Sequence, residues 1–445
     1  MLEVLNTLLW GPGTLALILG TGAWLTLRTG GFPQRNLGRA LALSLGREAR
    51  RKGRSGVSPF GSLMTALAST VGTGNIVGVA AALVSGGPGA LVWMELAALL
   101  GLAAKFAECM LAVKYRRVRQ DGTRWGGPMA VMETRLGSAG AVLGRFYALF
   151  ALLMAFAMGA MAQSGALADT FFAAFTLPRW RVGLVTAVLA LAILLGGIRR
   201  IAEISTVLVP VMALLYLGGG LAVILGNLRR LPEALILMLR CAVAPEAALG
   251  GALGIVTRRE ALRWGVARSV FSNEAGLGSA AITAACADTD EPVKQGLISM
   301  TGVFFDTMVI CTVTGLAICC SGTLGAADGN GLPLTGAALT LRAFETVLGP
   351  LAPWLIGAAL GLFAFTSVLG CAVQAETTAS YLLGPEAVRP CRVLYGLAVF
   401  VGAVIPMATV LQLADLANAL MAFPNLVCLL LLSGEIAGEC ERKDR

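Results

Sequence analysis

Long runs of apolar residues recur along almost the entire sequence, and they restrict the chain to one class of fold. Nearly uncharged stretches occupy residues 4–27, 55–94, 146–168, 182–198, 204–228, 346–375, 393–414 and 416–434. A helix needs about 20 predominantly apolar residues to cross a bilayer, because the hydrocarbon core offers no water to main-chain amides. With 57% hydrophobic and 13% charged residues, the chain has too little polar surface to coat a water-soluble globule. The sequence therefore predicts an all-α integral membrane protein.

Span positions and loop charges together predict an orientation in the membrane. We expect about 11 transmembrane helices, at residues 4–27, 60–84, 88–113, 143–174, 181–198, 203–226, 232–258, 295–320, 342–382, 391–408 and 411–434. Basic residues cluster from Arg35 to Arg54 and from Lys114 to Arg124. Because basic loops stay in the cytoplasm, we expect the N-terminus outside and the C-terminus inside a plasma (inner) membrane. The first run ends at Arg28 without a cleavage pattern, so we interpret it as a retained helix. Residues 265–294 are expected to form re-entrant or surface helices.

The residue inventory excludes several kinds of chemistry. The chain has no histidine, which removes His-ligated metal centres, Ser-His-Asp triads and histidine proton relays. Its 10 cysteines are scattered through apolar segments without a CxxC pair, which is typical of small buried hydrophobic residues. The net charge of +9 reflects basic loops rather than nucleic-acid binding. We expect no enzymatic activity, no organic cofactor, no nucleic acid and no required protein partner.

Glycine clusters inside apolar spans are the first places to look for a binding site. Lipid tolerates broken helices only where the freed main-chain groups line a cavity or face other protein. The first cluster runs from Ala68 to Gly78 and combines Gly72 and Gly74 with hydroxyls and with the amide of Asn75. A break there would expose carbonyls that suit a dehydrated cation and N–H groups that attract a carboxylate. Close helix packing through small residues would explain the same pattern.

A second glycine cluster, at residues 248–254 with Gly250 and Gly251, lies five spans later. Inverted-repeat transporters carry discontinuous helices at corresponding positions of two halves, so this spacing favours two five-helix repeats. Thr366 and Ser367 place adjacent hydroxyls in another apolar span, although bonds back to their own helix would explain them equally well. We expect one membrane domain over residues 1–445, with an extra N-terminal helix at 4–28, a first repeat at 60–230, a second repeat at 231–434 and a cytoplasmic tail at 435–445.

Ionisable residues inside apolar spans are energetically expensive, so they indicate ion pairs or functional groups. They include Glu95, Lys105, Glu108, Asp169, Arg240, Asp306, Glu376 and Asp415. Lys105 and Glu108 lie three residues apart on one helix face, which favours an ion pair. Asp306 has no cation nearby in its own segment, so it needs a distant partner or a proton and is a candidate for coupling. Residues 271–279 resemble a capped helix start beside a tight turn, either structural or part of a gate.

Several long segments carry a resemblance to a known family. They are SPFGSLMTALASTVGTGNIVGVAAAL, then GGPGALVWMELAALLGLAAKFAECMLAVKYR followed by GGPM, then GVARSVFSNEAGLGSAAITAA, PVKQGLISMTG and LADLANALMAFPNL. In these segments the chain resembles the alanine or glycine:cation symporter family of the amino acid-polyamine-organocation superfamily. The resemblance implies a LeuT-type fold, a 5+5 inverted repeat with one additional N-terminal helix. It also implies symport of alanine, glycine or a similar small neutral amino acid with Na+ by alternating access.

The same resemblance implies roles for individual residues. The substrate carboxylate would contact Gly72, Thr73 and Gly74. The Na+ ion would be held by the carbonyls of Ala68 and Val71 and the hydroxyls of Thr366 and Ser367. The second break would present Gly250 and Gly251 to the amine and side chain of the substrate. Candidates for coupling or gating are Asn75, Asn273, Glu274 and Asp306.

Three departures from the family pattern fall near the expected substrate pocket, in which we place Gly61, Gln163 and Gly165. Family members commonly carry Gln where this chain has Gly61. A common QANS here begins at Gln163 and reads QSGA, and a common WSYYGE reads CAVQAE over residues 371–376. Because bulk and hydrogen-bonding groups have been lost, the sequence permits a substrate that is larger than alanine or differently substituted.

Other functions compete with Na+ symport. An H+-coupled or uncoupled permease for another small solute is an alternative, with Asp306 or Glu376 as the proton carrier. A channel would need a continuous polar pore, which sparse charge and paired glycine clusters do not favour. A membrane-embedded enzyme would need a nucleophile with a base or a metal site, and the missing histidine leaves few constructions.

Overall fold

Helices dominate the architecture. A computed structural model describes residues 6, 9–51, 56–118, 122–243, 246–248, 255–327 and 331–444. The α-helices are α1 (Pro12–Arg28), α2 (Phe32–Arg35), α3 (Leu37–Leu45), α4 (Pro59–Thr70), α5 (Val79–Gly86), α6 (Gly89–Lys114), α7 (Pro128–Arg135), α8 (Gly137–Met154), α9 (Gln163–Phe175), α10 (Arg179–Leu194), α11 (Gly197–Gly226), α12 (Leu231–Val243), α13 (Arg258–Asn273), α14 (Ser279–Ala285), α15 (Pro292–Val303), α16 (Thr312–Ser321), α17 (Gly336–Leu348), α18 (Ala352–Leu383), α19 (Val388–Val404), α20 (Met407–Leu431) and α21 (Ser433–Asp444).

Shorter elements join these helices. Strands β1 (Arg117–Val118) and β2 (Arg124–Trp125) pair antiparallel, as do β3 (Glu246–Ala248) and β4 (Ile255–Thr257). Turns of π-helix cover Gly74–Gly78 before α5, Ala155–Ala162 between α8 and α9, and Phe304–Cys311 between α15 and α16. Such wide turns inside helices are often found at functional sites.

The described helices match a protein that crosses a membrane several times. Seven helical segments are long and apolar enough: Gly89–Lys114, Gly137–Phe172, Gly197–Gly226, Pro292–Ser321, Gly336–Leu383, Pro385–Val404 and Thr409–Leu431. Pro59–Thr70 and Gly74–Gly86 meet at an angle of 55°. If they form one bent span, the number of such segments among the described residues rises to 8. Helices α1 and α10 are also apolar, with 17 and 16 residues. The architecture is that of a multi-pass helical membrane protein.

One expected span differs from the structure. The prediction of a continuous helix over residues 232–258 is wrong, because α12 ends at Val243 and the chain continues into the β3–β4 pair. Pro245 lacks the amide donor that a helix needs, and the following glycines have low helix propensity. Gly250 and Gly251 lie outside the described residues. The segment expected to form re-entrant or surface helices contains part of α13 and all of α14, with an interruption at residues 274–278 between them.

Close helix packing holds α4 in the middle of the bundle. It lies against α11 on one side and α18 on the other, while α13 and α15 both pack on α6. At Gly370 of α18, a Cβ atom would come within 2.4 Å of the Ser69 main-chain nitrogen, so only glycine allows this approach. At Gly265 of α13, a Cβ atom would come within 2.3 Å of the Ala90 carbonyl oxygen on α6. These contacts place α18 directly beside α4 and α13 directly beside α6.

Candidate functional site

The helix that begins with α4 is interrupted at residues 71–73, which we call the first break. The last helical bond of α4 joins the Val71 amide to the Leu67 carbonyl at 2.8 Å. In a continuous helix the Gly72 amide would donate to the carbonyl four residues earlier. Here it donates to Asn75 Oδ1 at 3.2 Å. The Asn75 side chain thus takes the place of one helical acceptor and stabilises the bend.

Several main-chain groups are left without helical partners at the first break. The Ala68 carbonyl loses the Gly72 amide as its donor. In the described part of the chain, the amides of Thr73 and Gly74 donate to no other group. The half-helix that begins at Gly74 continues to Gly86, so the positive end of its dipole adds to these free amides. The first break therefore offers an acceptor for a cation and donors for an anion.

The two hydroxyls expected in the cation site point in different directions. Ser367 Oγ lies 3.4 Å from the Val71 carbonyl oxygen and also donates to the carbonyl of Phe363 at 2.9 Å. Thr366 Oγ1 lies 3.2 Å from Met212 Sδ and donates back to its own helix. The structure therefore brings Ser367 to the first break and leaves the Thr366 hydroxyl facing α11.

Of the three residues expected in the substrate pocket, one lies at the first break. Gln163 Oε1 is 3.4 Å from Thr73 Oγ1, and a Cβ atom on Gly72 would lie 3.4 Å from Gln163 Nε2. Gly165 packs instead near the α19–α20 junction, where a Cβ atom would lie 2.7 Å from Met407 Cε.

Gly61 does not lie at the first break either. It is in the first turn of α4, where a Cβ atom would lie 3.2 Å from Ser58 Oγ and 3.6 Å from Ala202 Cβ. The first break lies about 15 Å away along the helix, given a rise of about 1.5 Å per residue. The family pattern suggested a shared pocket for these residues, but Gly61 contacts α11 and Gly165 contacts the α19–α20 region.

A second interruption separates α13 from α14 at residues 274–278, which we call the second break. Glu274, Gly276 and Gly278 have φ angles of 51°, 85° and 81°. Left-handed backbone costs a side-chain-bearing residue about 1–2 kcal/mol, so Glu274 is a strained position. Its carboxylate accepts a hydrogen bond from the hydroxyl of Ser279. Strain of this kind inside a buried helix interruption marks the second break as a candidate functional element.

A buried ion pair on α6 holds the second break. Glu108 Oε2 accepts hydrogen bonds from the amides of Gly276 and Gly278, each at 3.1 Å. Lys105 Nζ lies 3.2 Å from Glu108 Oε1 and donates to the Glu274 carbonyl at 3.0 Å. The two side chains are 3% and 0% exposed. The ion pair expected from the sequence thus supplies an acceptor and a donor to groups that the interrupted helix leaves unpaired.

Asn75 and Asp306 join the two breaks. Asn75 Nδ2 donates to Asp306 Oδ1 at 2.8 Å and lies 3.1 Å from the oxygen of Ser272, at the end of α13. Asp306 Oδ2 accepts from the hydroxyl of Ser272, and from Thr307 Oγ1 at 3.2 Å. All four side chains are buried. The first break, the end of α13 and the π-helical turn after α15 therefore share one network around a carboxylate.

The remaining coupling candidate, Asn273, lies at the edge of this network. Its Nδ2 donates to Thr307 Oγ1 at 3.1 Å, and its Oδ1 accepts from the Ala275 amide at 2.9 Å. It thus connects Thr307 of the network to the first turn of the second break. The geometry brings Asn75, Asn273 and Asp306 together, and Glu274 follows directly in the chain.

At the end of the bundle where α14 terminates, arginines hold the main chain that follows it. Arg116 Nη1 donates to the Ala287 carbonyl at 2.7 Å, and Arg124 Nη1 donates to the Thr289 carbonyl at 3.1 Å. Burial, reinforced by the charge of Arg124, lowers the pKa of Arg116. The Asp288 amide also donates to a carbonyl just before α4, at 2.8 Å. The start of α4 and the end of α14 are therefore tied together on this side of the bundle.

A cavity of about 270 Å³ opens beside these arginines. Its lining includes Arg124, Cys286, Val373, Glu376 and Arg392. Glu376 accepts two hydrogen bonds of 2.8 Å from Arg392, which joins α18 to α19. The cavity adjoins the end of α14 and the part of α18 that carries Val373 and Glu376. We call it the vestibule on this side of the bundle.

Sequence reasoning missed the supporting function of Lys105 and Glu108 and the meeting of Ser272 with Asp306. The sequence does contain a signal for the second break, because NEAGLGS places two glycines beside a strongly polar pair in an otherwise apolar region. Contacts over more than 160 residues, such as that between Glu108 and Gly276, leave no mark in a local pattern.

Interrupted helices with free main-chain groups, in a multi-pass membrane bundle, define a transporter rather than a membrane enzyme. The sequence profile described as the Sodium:alanine symporter family matches residues 1–442. The chain belongs to the sodium:alanine symporter family, which confirms the prediction made from its motifs. Members of this family are symporters, so the expectation that the protein is not an enzyme is also confirmed.

Individual relatives are similar over nearly their whole length. The chain is 41% identical over 441 residues to the "Sodium/alanine symporter AgcS" of Methanococcus maripaludis, covering 99% of this chain and 96% of that protein. It is 37% identical over 435 residues to the "Probable sodium/glutamine symporter GlnT" of Bacillus subtilis, covering 97% and 87%. Among solved structures, it is similar to a manganese transporter of Eremococcus coleocola, with a TM-score of 0.49 and 14% identity, covering 85% of this chain and 76% of that one.

Proposed function

We propose that the protein is a secondary active transporter that carries a small neutral amino acid together with Na+ by alternating access. The observation that carries this proposal is the pairing of two interrupted helices through Asn75 and Asp306. One interruption leaves free donors and an acceptor, and the other is held by a buried ion pair. The carboxylate of an amino acid suits the free donors at the first break. A dehydrated Na+ ion needs oxygen ligands of the kind found beside the same break.

The Na+ site comprises the carbonyls of Ala68 and Val71 and the hydroxyl of Ser367. Ser367 lies 3.4 Å from the Val71 carbonyl oxygen, and the Ala68 carbonyl has lost its helical donor. The Thr366 hydroxyl would have to rotate away from Met212 to become a fourth ligand. Oxygen ligands without a formal charge suit a monovalent cation that must also be released.

The amino acid lies with its carboxylate at the free amides of Thr73 and Gly74, next to Gly72. Gln163 reaches this point from α9 and contributes to the pocket. The side chain of the substrate faces α18 near Cys371, where the family commonly has tryptophan, so the pocket admits residues larger than alanine. The relative described as a probable sodium/glutamine symporter supports including glutamine among the candidate substrates.

The fold proposed for this function is LeuT-type with 11 spans. Eight of these spans are the long apolar segments, counting the bent pair once, and the other three are the shorter helices α1 and α10 and the interrupted pair α13–α14. The first repeat then opens with α4 and the second with α13, five spans later, after the extra helix α1. With eleven spans and basic loops kept in the cytoplasm, we propose that the N-terminus lies outside and that α21 and the vestibule beside Arg124 lie in the cytoplasm.

H+ coupling is the second candidate mechanism, and one observation favours Asp306 over Glu376 as the proton carrier. Glu376 is held by two hydrogen bonds from Arg392, whereas Asp306 contacts only neutral side chains among the described residues. A carboxylate without a bonded cation is the better candidate for a transported proton or a neighbouring Na+ ion.

Uptake into proteoliposomes tests the proposal. Labelled alanine, glycine and glutamine are supplied under an inward Na+ gradient, under K+ alone and under a pH gradient. Saturable uptake of at least one of them, driven only by Na+, is expected. Uptake driven by the pH gradient would transfer the coupling function to a proton, and uptake that rises without saturation would indicate a channel. No uptake of any of the three under every gradient would contradict the substrate class.

A further inference from the structure

Arg268 is a cation beside the first break, and it donates no hydrogen bond to any described residue. It lies in α13, and a Cβ atom placed on Gly74 would be 2.3 Å from its Nη2. A Cβ atom on Gly78 would be 2.3 Å from its Cζ. Because these glycines are four residues apart, they share one face of the half-helix. Their missing side chains create a groove, and the guanidinium fills it.

The surroundings fix this guanidinium in place without pairing it. Its Cζ lies 5.8 Å from the ring centre of Phe271, which stacks on Trp10 at 4.6 Å. Its Nε is buried and has no hydrogen-bond partner, and no carboxylate in the described chain forms an ion pair with it. Asp306 is near enough to interact electrostatically, but its oxygens are occupied by Asn75, Ser272 and Thr307. An unpaired buried guanidinium is costly, so an anionic partner is missing.

We propose that Arg268 binds the carboxylate of the transported amino acid, together with the free amides of Thr73 and Gly74. This inference rests on the proposed function and deepens it. The guanidinium, the two amides and the positive end of the half-helix meet at Gly74, so all three attract the same anion. A planar guanidinium pairs with a carboxylate through two parallel hydrogen bonds, which an amide or amine group cannot reproduce. Arg268 therefore makes a free carboxylate a requirement of the substrate.

Binding measurements on the purified full chain test this function of Arg268. In Na+ buffer, the affinity for the best substrate from the uptake assay is compared with the affinity for its carboxamide analogue. If the best substrate is alanine, this analogue is L-alaninamide. Arg268→Gln removes the charge. Gly78→Ala keeps Arg268 but places a methyl group in its groove. Arg263→Gln is the matched control, because Arg263 is an exposed arginine of the same helix that lies over Trp264.

We expect Arg268→Gln to weaken binding of the amino acid at least tenfold and Gly78→Ala to weaken it several-fold. Binding of the carboxamide should change less than threefold in both variants, and Arg263→Gln should match the wild type. Equal weakening of both ligands by Arg268→Gln would overturn the inference, since the carboxylate would then not be its partner.

Retained affinity with lost transport would also overturn it. If Asp415→Asn then had the same effect, an ion pair between Arg268 and Asp415 that closes the outer entrance would replace the inference, since Asp415 also interacts electrostatically with Arg268. Failure of the wild-type protein to bind or transport any amino acid would contradict the proposed function itself. Wild-type affinity in Arg268→Gln contradicts only the inference about this residue.

Discussion

The two interrupted helices differ in whether the main-chain amides freed by the interruption are hydrogen-bonded within the protein. At the second break, every amide from residue 274 to residue 278 donates to the protein, to Val270, Asn273, Glu108, Glu274 and again Glu108. At the first break, the amides of Thr73 and Gly74 donate to no described group. Main-chain amides in folded proteins are almost always paired, so a half-buried segment that leaves two of them free is suited to binding a ligand.

The side chains that stabilise the two breaks also differ in charge. The second break is held by charges, with Glu108 and Lys105 on a neighbouring helix. At the first break the side chains within hydrogen-bonding distance are neutral, namely Asn75, Ser367 and Gln163, while the nearby Arg268 forms no hydrogen bond with the described residues. A buried ion pair fixes a geometry strongly, whereas neutral oxygens can exchange partners at little cost. We infer that the second break is the fixed part of the site and that the first break exchanges its contacts with ligands.

Removing Glu108 should have the largest effect on the folded protein. Glu108→Ala leaves the amides of Gly276 and Gly278 without an acceptor and leaves the Lys105 ammonium buried and unpaired. Loss of one partner of a buried ion pair costs about 3–5 kcal/mol. We expect a large drop in the thermal unfolding temperature of the detergent-solubilised protein, measured by fluorescence-detected size exclusion.

A double variant separates the charge of Glu108 from its hydrogen bonds. Lys105→Met combined with Glu108→Gln removes both charges and retains one acceptor for the second break, so most of the lost stability should return. Glu95→Gln on the same helix is the control, since Glu95 bonds only to Thr312 among the described groups. If Glu108→Ala unfolds at the wild-type temperature, the second break does not depend on this ion pair.

Asp306→Asn should reduce transport more than stability, because Asp306 belongs to the network that joins both breaks. Asparagine has nearly the same shape, but one carboxylate oxygen is replaced by a donor that faces the hydroxyls of Ser272 and Thr307. We expect the maximal rate of Na+-driven uptake to fall more than tenfold, while the unfolding temperature changes by only a few degrees. Uptake that becomes independent of pH while still requiring Na+ would instead assign a transported proton to Asp306.

The hydroxyls of Ser367 and Thr366 provide a matched test of the first break. Ser367→Ala removes the hydroxyl nearest the Val71 carbonyl and should raise the Na+ concentration for half-maximal uptake about tenfold, the usual effect of losing about 1.4 kcal/mol. Thr366→Ala removes a hydroxyl that faces Met212 and should change that concentration less than threefold. Equal effects of both substitutions would show that Thr366 rotates into the cation site.

The sequence predicted the first break and the membrane-spanning helices, because their signals are local. Apolar length indicates a span, and GTGN combines two glycines with the amide that replaces a helical acceptor. The sequence assigned the second break to Gly250 and Gly251, which lie outside the described residues, because that glycine cluster falls five predicted spans after the first. In the described chain, the helix interruption lies at Glu274–Gly278 and is held by Glu108 and Lys105. Which distant side chain satisfies a freed amide depends on tertiary packing, so local patterns could not identify it.

Adding one methyl group to each break is the mildest test of the comparison. Gly276 has a φ angle of 85°, and a Cβ atom there would lie 2.9 Å from Leu426. Gly276→Ala should therefore cost about 1–2 kcal/mol of stability. A Cβ atom on Gly72 would lie 3.0 Å from Ser367 Oγ, without positive φ. Gly72→Ala should leave the unfolding temperature within a few degrees of wild type and raise the Na+ requirement several-fold, as the methyl group displaces Ser367. Because the two substitutions are chemically identical, a loss of stability at Gly72 with unchanged Na+ dependence would reverse the assignment of the fixed and the ligand-exchanging break.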